Sequence, residues 1–221
     1  MKNADFHHTH PYAPFNLNGA TKLIVGTLPP PRFTTGVLKP GDVDFCYGSI
    51  DGQLWPIMDR IFDLGLTYEN TEKAVKQRKK FLRQRNIGIC DIVASARRTK
   101  IDASDLGMQQ VELRDVVQVL LTHPQIKTLL FTGGNSKNGP EYFFRRHLKE
   151  YPFSLEVVDA NTPRIHKLKL PHGEIQTVSL TAPSGAANRA VGSMKEFQDL
   201  KSKDPAFTAL DFRVLQYREH F

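Results

Sequence analysis

Cysteine is scarce in this chain, which has only Cys46 and Cys90 among its 221 residues. Two thiolates are too few for an iron–sulfur cluster held by four cysteines or for a cysteine-rich zinc site. The histidines at positions 7, 8 and 10 form one short cluster, but no second group of His, Asp or Glu stands at ligand spacing. We therefore expect reduced, partly buried thiols, no iron–sulfur cluster, no metal and no cofactor.

Long apolar runs are also missing. No segment is long and apolar enough to span a bilayer, and the N-terminal residues MKNADFHHTHPY contain no hydrophobic signal core. We therefore expect a soluble, cytoplasmic protein with no membrane partner. Neither a phosphate-binding Gly-Lys-Ser/Thr loop nor a Gly-x-Gly-x-x-Gly turn follows the first predicted strand, and no Gly-x-Ser-x-Gly elbow occurs.

The apolar content is sufficient for a core, since 40% of the residues are hydrophobic and 10% are aromatic. This composition suits one globular domain. We assign residues 1–221 to that domain, with 1–21 as an N-terminal extension and the aromatic tail 205–221 docked on the core. We expect a monomer.

Positive charge is in excess, with 30 Lys and Arg against 23 Asp and Glu, for a net charge of +7. Such a balance favours a polyanionic partner, nucleic acid first. Seven of the cations share one predicted helix, for which a solvated face is the simpler interpretation. Arg97, Arg98 and Lys100 follow a few residues later.

Four short apolar runs predict buried strands. They are KLIVGTL from Lys22, IGICDIV from Ile87, IKTLLFTG from Ile126 and EIQTVSLTA from Glu174. Helical periodicity separates them, at 54–64, about 71–85, 113–121, after Pro140 and from 188 to about 201. We therefore expect an α/β fold with a mostly parallel four-stranded sheet covered on both faces. The segments from Ser154 and His166 predict an added edge strand or hairpin.

Small and polar residues follow each predicted strand. The four exits read TLPPPRF, DIVASARRTKIDASDL, TGGNSKNGP and TAPSGAANR. In an open parallel sheet, ligands bind where the carboxyl ends of the strands meet the loops. Small residues at every exit leave room for a ligand and expose backbone donors, so we predict a pocket at this edge.

The stretch FCYGSIDGQLWPIM begins at Phe45 as a turn-like loop and closes as a helix. Phe45 and Tyr47 offer ring faces on which a base can stack, a contact worth ~1–3 kcal/mol. Filling the core under the loop is the alternative for both. Asp51 is a candidate to cap the following helix, to hold a water or to stabilise positive charge on a sugar.

Two further exits carry polar candidates. Asp91 interrupts an apolar strand, so its carboxylate needs partners. It either bonds to backbone amides of a neighbouring loop or meets the Watson–Crick edge of a base. Ser184 and the N–H groups at a helix start suit a phosphate. Arg189 suits a phosphate or entry into a duplex, although the segment also fits an ordinary strand-to-helix connection.

Taken in order, these loops resemble the uracil-DNA glycosylase superfamily, most closely its mismatch-specific and hypoxanthine-DNA glycosylase branches. LIVGTLPPP resembles the family's first motif, and FCYGSIDGQLWPIM resembles its aromatic–Gly segment. GICDIVASARRTKIDASDL resembles the second strand with its Arg…Asp-Leu loop. LLFTGG resembles the third strand, and LTAPSGAANRA resembles the Pro-Ser loop that presses on DNA. The resemblance covers the chain from Lys22 to about Ala190.

The resemblance implies a three-layer α/β/α sandwich and a monofunctional glycosylase of base excision repair. Such an enzyme flips a deaminated base, uracil or hypoxanthine, out of double-stranded DNA and hydrolyses its N-glycosidic bond. The candidate catalytic groups are Asp51 and Asp91. The implied base contacts are Gly26, Thr27, Leu28, Pro29, Tyr47, Gly48, Asp91 and Thr132. The implied DNA contacts are Arg97, Arg98, Ser184, Gly185, Asn188 and Arg189.

The chain departs from the family at chemically important positions. Leu28 stands where many members carry a catalytic Asp or Asn, and leucine neither orients water nor accepts a proton. Ala182 precedes Pro183 where other members have His, and Thr132 replaces an Asn of the hypoxanthine branch. Two other functions therefore stay open: a non-catalytic DNA- or damage-binding protein of the same fold, and an enzyme on free nucleosides or nucleotides.

Overall fold

The computed structural model describes residues 6–100, 102 and 104–221. Its strands are β1 (Phe6–Thr9), β2 (Lys22–Val25), β3 (Ile87–Ile89), β4 (Val93–Arg98), β5 (Gln109–Leu113), β6 (Thr128–Phe131), β7 (Leu155–Asp159), β8 (Arg164–Leu170) and β9 (Gly173–Ser179). Its helices are α1 (Pro31–Thr35), α2 (Leu54–Phe62), α3 (Glu72–Gln84), α4 (Val116–Thr122), α5 (Pro140–Leu148), α6 (Asn188–Gly192), α7 (Lys195–Lys203) and α8 (Ala209–Arg218). The chain is an α/β protein.

A six-stranded mixed sheet forms the centre, in the order β3-β2-β6-β9-β8-β7. The first four strands are parallel and are the four predicted from the apolar runs. The predicted strand count of four is wrong because β8 returns antiparallel to β9 and β7 pairs antiparallel with β8. Alternation along β8 explains this extension, since His166, Leu168 and Leu170 are buried while Lys167 and Lys169 are exposed.

Helices pack on both faces of this sheet, and alternate residues of β2 divide the core between them. Leu23 and Val25 belong to one buried cluster, which includes Val117 of α4 and Phe143 of α5. Ile24 belongs to a second cluster with residues of α2, α3 and α8. Strands that are apolar on both faces therefore read as continuous hydrophobic runs in the sequence.

A second sheet has three antiparallel strands in the order β1-β4-β5. Its strand β4 begins just after the loop that follows β3. The predicted strand IGICDIV ends at Ile89, and its last residue, Val93, begins β4 in this other sheet. Residues 6–21 are therefore integral to the domain rather than an extension. Strand β1 pairs with β4, and Phe15 forms a bridge to Ile89.

Three predicted helices are confirmed as α2, α3 and α5, the last with Pro140 in its first turn. The helix predicted from residue 113 begins instead at Val116, because Asp115 accepts a hydrogen bond from Gln118 N as its cap. The helix predicted from residue 188 is broken into α6 and α7 around Ser193.

The C-terminal tail forms α8, which begins with a Thr208–Asp211 capping box. Its Tyr217 is fully buried in the cluster shared with α2 and α3. Within the described residues, no helix has the length and apolar character needed to cross a membrane.

Candidate functional site

A cavity of about 580 Å³ lies at the edge of the sheet where the parallel strands end. Loops that follow all four of these strands contribute to its wall, as the small-residue exits predict. The lining comprises His10, Tyr12, Thr27–Pro30, Cys46–Gly48, Ser49, Asp51–Leu54, Asp91, Ser104, Asp105, Thr132 and Ala182–Ala186. The volume falls within the roughly 300–1,000 Å³ of small-molecule sites.

Asp91 lies at the buried end of this cavity and is 5% exposed. Its Oδ1 accepts hydrogen bonds from Gly26 N and Tyr47 Oη, each at 2.7 Å. Its Oδ2 lies 2.9 Å from His10 Nε2. The bond to Gly26 N confirms the interpretation that Asp91 pairs with a backbone amide of a neighbouring loop, and the carboxylate also lines the cavity.

The hydrogen-bond pattern fixes the tautomer of His10. The backbone N–H of Tyr12 donates to His10 Nδ1 at 3.2 Å, so this nitrogen carries no proton. His10 Nε2 therefore carries the proton and donates it to Asp91. Three donors on one carboxylate fit its ionised form. The sequence pattern pointed only to a histidine cluster near the N-terminus, so this role of His10 was missed.

The same reasoning orders the protons of Tyr47 and Thr132. An ionised carboxylate only accepts, so Tyr47 donates to Asp91. The 3.2 Å contact between Tyr47 Oη and Thr132 Oγ1 then needs Thr132 as its donor. Burial, followed by the charge of Asp91, raises the pKa of Tyr47 well above its usual value, which keeps the phenol protonated. The remaining lone pairs of Thr132 and Asp91 make this end of the cavity an acceptor surface.

Two glycines of the predicted base-binding set are required by close approach. A Cβ on Gly26 would collide with Tyr47 Oη and would lie 2.9 Å from both Asp91 Oδ1 and Thr132 Oγ1. A Cβ on Gly48 would collide with the carbonyl of Val43. Tyr47, which directly precedes Gly48, has a φ of 58°, in the left-handed region that non-glycine residues seldom occupy. The backbone is thus shaped to bring the Tyr47 hydroxyl onto Asp91.

Thr27, Leu28 and Pro29 form the cavity wall at the end of β2. Within the described part of the chain, the backbone N–H groups of Thr27 and Leu28 have no hydrogen-bond acceptor. An unpaired backbone donor beside a cavity is available to a ligand oxygen. The Leu28 side chain has no polar atom, so it contributes only apolar surface to the wall.

Asp51 lies at the mouth of the cavity, where its side chain is 63% exposed. It forms ion pairs with Lys39 Nζ at 2.9 Å and Arg32 Nη2 at 3.3 Å. The residue at the N-cap of α2 is Gln53, so Asp51 is not the helix cap that the sequence suggested. Phe45 is 4% exposed and packs among Phe15 and other core rings, which is the core-filling alternative.

The Pro-Ser loop is held on the cavity rim from below by Arg213 of α8. This fully buried guanidinium donates to the carbonyls of Ala182 and Ser184, at 2.8 and 3.1 Å. It also donates to the side-chain oxygens of Gln53 and Asn188, each at 2.8 Å. Arg213 lies in the tail, far from the motifs in sequence, so no local pattern pointed to it.

The other predicted DNA contacts fall into two groups. Arg97, Gly185 and Arg189 are exposed, and Ser184 is half-buried at the rim. Arg98, by contrast, is 1% exposed and turned inward, where it donates to His8 Nδ1 at 2.8 Å and to the carbonyl of Ser104 at 2.6 Å. In this conformation its guanidinium is unavailable to a phosphate.

Asp105 is a cavity residue that the predicted site omitted. It begins a 3-10 turn, Asp105–Gly107, and its Oδ1 accepts a hydrogen bond from Thr27 Oγ1 at 2.8 Å. Burial is the main cause that raises the pKa of Asp105 to about 6. The Asp-Leu pair in the second motif was the available signal.

The described cysteines and histidines do not belong to any group of three or more possible metal ligands. Cys46 and Cys90 are buried free thiols, and burial raises the pKa of Cys90 to about 12. No three His, Cys, Asp or Glu side chains among the described residues are grouped so as to hold a metal ion.

No family model, curated protein or solved structure matches the chain.

Proposed function

We propose that this chain is a monofunctional DNA glycosylase that excises a deaminated base, uracil or hypoxanthine, from double-stranded DNA. The observation that carries the proposal is the acceptor surface of Asp91 and Thr132 at the buried end of the cavity. It suits a base edge that presents an N–H, as uracil and hypoxanthine both do. The unpaired backbone N–H groups of Thr27 and Leu28 suit a carbonyl oxygen next to this N–H, which both bases carry.

The position of the cavity supports a substrate that enters from a polymer. A base inside a duplex cannot reach a buried carboxylate, so it must be flipped out of the stack. Arg97 and Arg189 are exposed, and the net charge of +7 favours a polyanion. The parallel strands with helices on both faces are compatible with the three-layer sandwich of the uracil-DNA glycosylase superfamily, which we propose as the fold relationship.

The lining of the cavity also supports hydrolysis without strand cleavage. No lysine is among the described residues that line it, so the cavity offers no amine for a Schiff base. Water is then the attacking group. The product is an abasic site, which alkali converts into a strand break.

The test uses end-labelled duplexes that are identical except for one base pair. Uracil opposite guanine and hypoxanthine opposite thymine are compared with intact cytosine–guanine and adenine–thymine pairs, at enzyme excess. We expect strand breaks only in the deaminated duplexes and only after alkali. No break in any duplex would contradict the proposal.

A second candidate, a non-catalytic protein that binds DNA or damaged DNA, is favoured by Leu28 and by the three donors that occupy Asp91. It predicts salt-dependent binding to the same duplexes without any alkali-sensitive site. Titration of each duplex by fluorescence anisotropy, run beside the excision assay, separates the two candidates.

A further inference from the structure

Asp105 presents an oxygen that no other described residue engages. It lines the cavity beside Thr27 and Leu28. Its Oδ1 is held by the Thr27 hydroxyl at 2.8 Å. For Oδ2, the described residues provide neither a hydrogen bond nor an ion pair. One oxygen thus fixes the carboxylate in place while the other remains available to a ligand or a water.

The backbone of the Asp105 turn is fixed from two sides. The buried Arg98 donates to the carbonyl of Ser104 at 2.6 Å. Asn138, in the loop after β6, donates through Nδ2 to the carbonyls of Asp105 and Met108 at 2.9 and 3.2 Å. Because the turn is anchored, the Asp105 carboxylate is held at a fixed position in the cavity, which pre-organises it for reaction with a ligand.

We propose that Asp105 is the general base of the excision reaction. This inference rests on the glycosylase function proposed above. The oxygen of a water molecule bonds to C1′ of the flipped nucleotide as the C1′–N bond breaks and its electron pair leaves with the base. Asp105 accepts one proton from that water, and the proton then passes to the released base. The products are the free base and an abasic sugar with a 1′-hydroxyl, so water is the only co-reactant.

The other two acidic residues of the cavity are poorly suited to this role. Both oxygens of Asp91 already accept hydrogen bonds from the protein. Asp51 is exposed at the mouth of the cavity, where its Oδ2 is paired with Lys39 and Arg32. Asp105 faces Thr27 from the loop after β2, Arg98 from β4 and Asp91 from the loop after β3. The burial that raises its pKa to about 6 leaves it ionised at neutral pH yet more basic than an exposed aspartate.

The experiment compares the wild-type chain with Asp105→Asn, and with Asp199→Asn as the matched control. Asp199 is an exposed carboxylate of α7 that does not line the cavity, so its substitution removes the same charge away from the site. Single-turnover excision of uracil and hypoxanthine is measured from pH 5 to 8, and duplex affinity is measured alongside. We expect Asp105→Asn to lower the rate by roughly 10²–10⁴-fold with duplex affinity unchanged, and Asp199→Asn to leave the rate within about threefold of wild type.

The pH profile tests the same inference on the wild-type chain, even if Asp105→Asn does not fold. The wild-type rate should rise tenfold per pH unit below about pH 6 and level off above it, since only ionised Asp105 accepts a proton. Wild-type excision that is independent of pH, or that persists in a folded Asp105→Asn variant, would overturn the role of Asp105 alone. No excision by the wild type at any pH would overturn the proposed glycosylase itself, and this inference with it.

Discussion

His10 donates a hydrogen bond to Asp91 across 81 residues of sequence, from Nε2 to Oδ2 at 2.9 Å. The two side chains are 1% and 7% exposed. Through this bond the N-terminal segment completes the donor set around the carboxylate. A residue that lies outside every recognisable motif thereby positions the acceptor surface of the cavity.

Replacing His10 should therefore loosen Asp91. His10→Ala leaves Asp91 Oδ2 without its protein donor, and a buried carboxylate that loses a hydrogen bond costs roughly 1.5–3 kcal/mol. We expect that loss in the free energy of unfolding, measured by urea denaturation. His7→Ala is the control, because His7 is an exposed histidine of β1, the strand just before His10. An equal effect of both substitutions would show that the His10–Asp91 bond contributes nothing specific.

The close approach at Gly26 predicts a sharp steric effect. Gly26→Ala places a methyl group against Tyr47 Oη, Asp91 Oδ1 and Thr132 Oγ1, so at least one of these must move. We expect the rate of base excision to fall by at least tenfold. Gly192→Ala, whose added Cβ meets nothing within 4 Å, serves as the control. Equal excision rates in both variants would place the substrate away from this end of the cavity.

Arg213 should keep the Pro-Ser loop in a single ordered conformation. Arg213→Met keeps much of the side-chain volume but removes the donors to Ala182, Ser184, Gln53 and Asn188. Buried carbonyls that lose their partners cost roughly 1–3 kcal/mol each. We expect faster amide hydrogen exchange in residues 182–188 and weaker duplex binding. Unchanged exchange in that segment would mean that other contacts hold the loop.

Arg189 should contribute to duplex affinity regardless of the base. It is exposed on α6, just beyond the loop that borders the cavity. Arg189→Ala should weaken binding of deaminated and intact duplexes alike and reduce the slope of log affinity against log salt by about one. Lys149→Ala is the control, since it removes an exposed cation at the C-terminal end of α5 that does not line the cavity. If both substitutions act equally, binding is a property of net charge rather than of the cavity rim.

Asp105 should make the chain less stable as pH rises. Burial raises its pKa from 3.8 to about 6 in the folded state, so the folded chain binds more protons than the unfolded chain between these values. The contribution of Asp105 to the free energy of unfolding therefore decreases by about 1–3 kcal/mol between pH 4 and 6. Above pH 6 this contribution is constant. Asp105→Asn should be more stable than wild type at pH 7, and the difference should vanish near pH 4. A difference independent of pH would contradict the raised pKa.

Sequence pattern was sufficient for the parallel part of the fold. The four apolar runs became β3, β2, β6 and β9, because strands buried on both faces need apolar residues throughout. The smaller sheet was missed because β1 and β5 carry mixed, partly exposed residues with no clear alternation. Asp91 and Tyr47 were found because a carboxylate in an apolar strand and an aromatic in a glycine loop are unusual locally.

The remaining site residues depend on tertiary contacts that no local pattern carries. His10 reaches Asp91 from the N-terminal segment, and Arg213 reaches the Pro-Ser loop from the C-terminal helix. Arg98 was expected on the surface because it follows Arg97 in a basic run. Neighbouring residues of a strand face opposite sides, so only one of that pair can point to solvent.

The most direct measurement of the central claim is mass-spectrometric detection of free base after the wild-type chain, in excess, has acted on duplexes that contain uracil or hypoxanthine. Our account predicts close to one free base released per deaminated duplex, with both strands intact before alkali. It also predicts no base released from the matched intact duplex. Deaminated duplexes that retain their base, although the chain binds them, would contradict it.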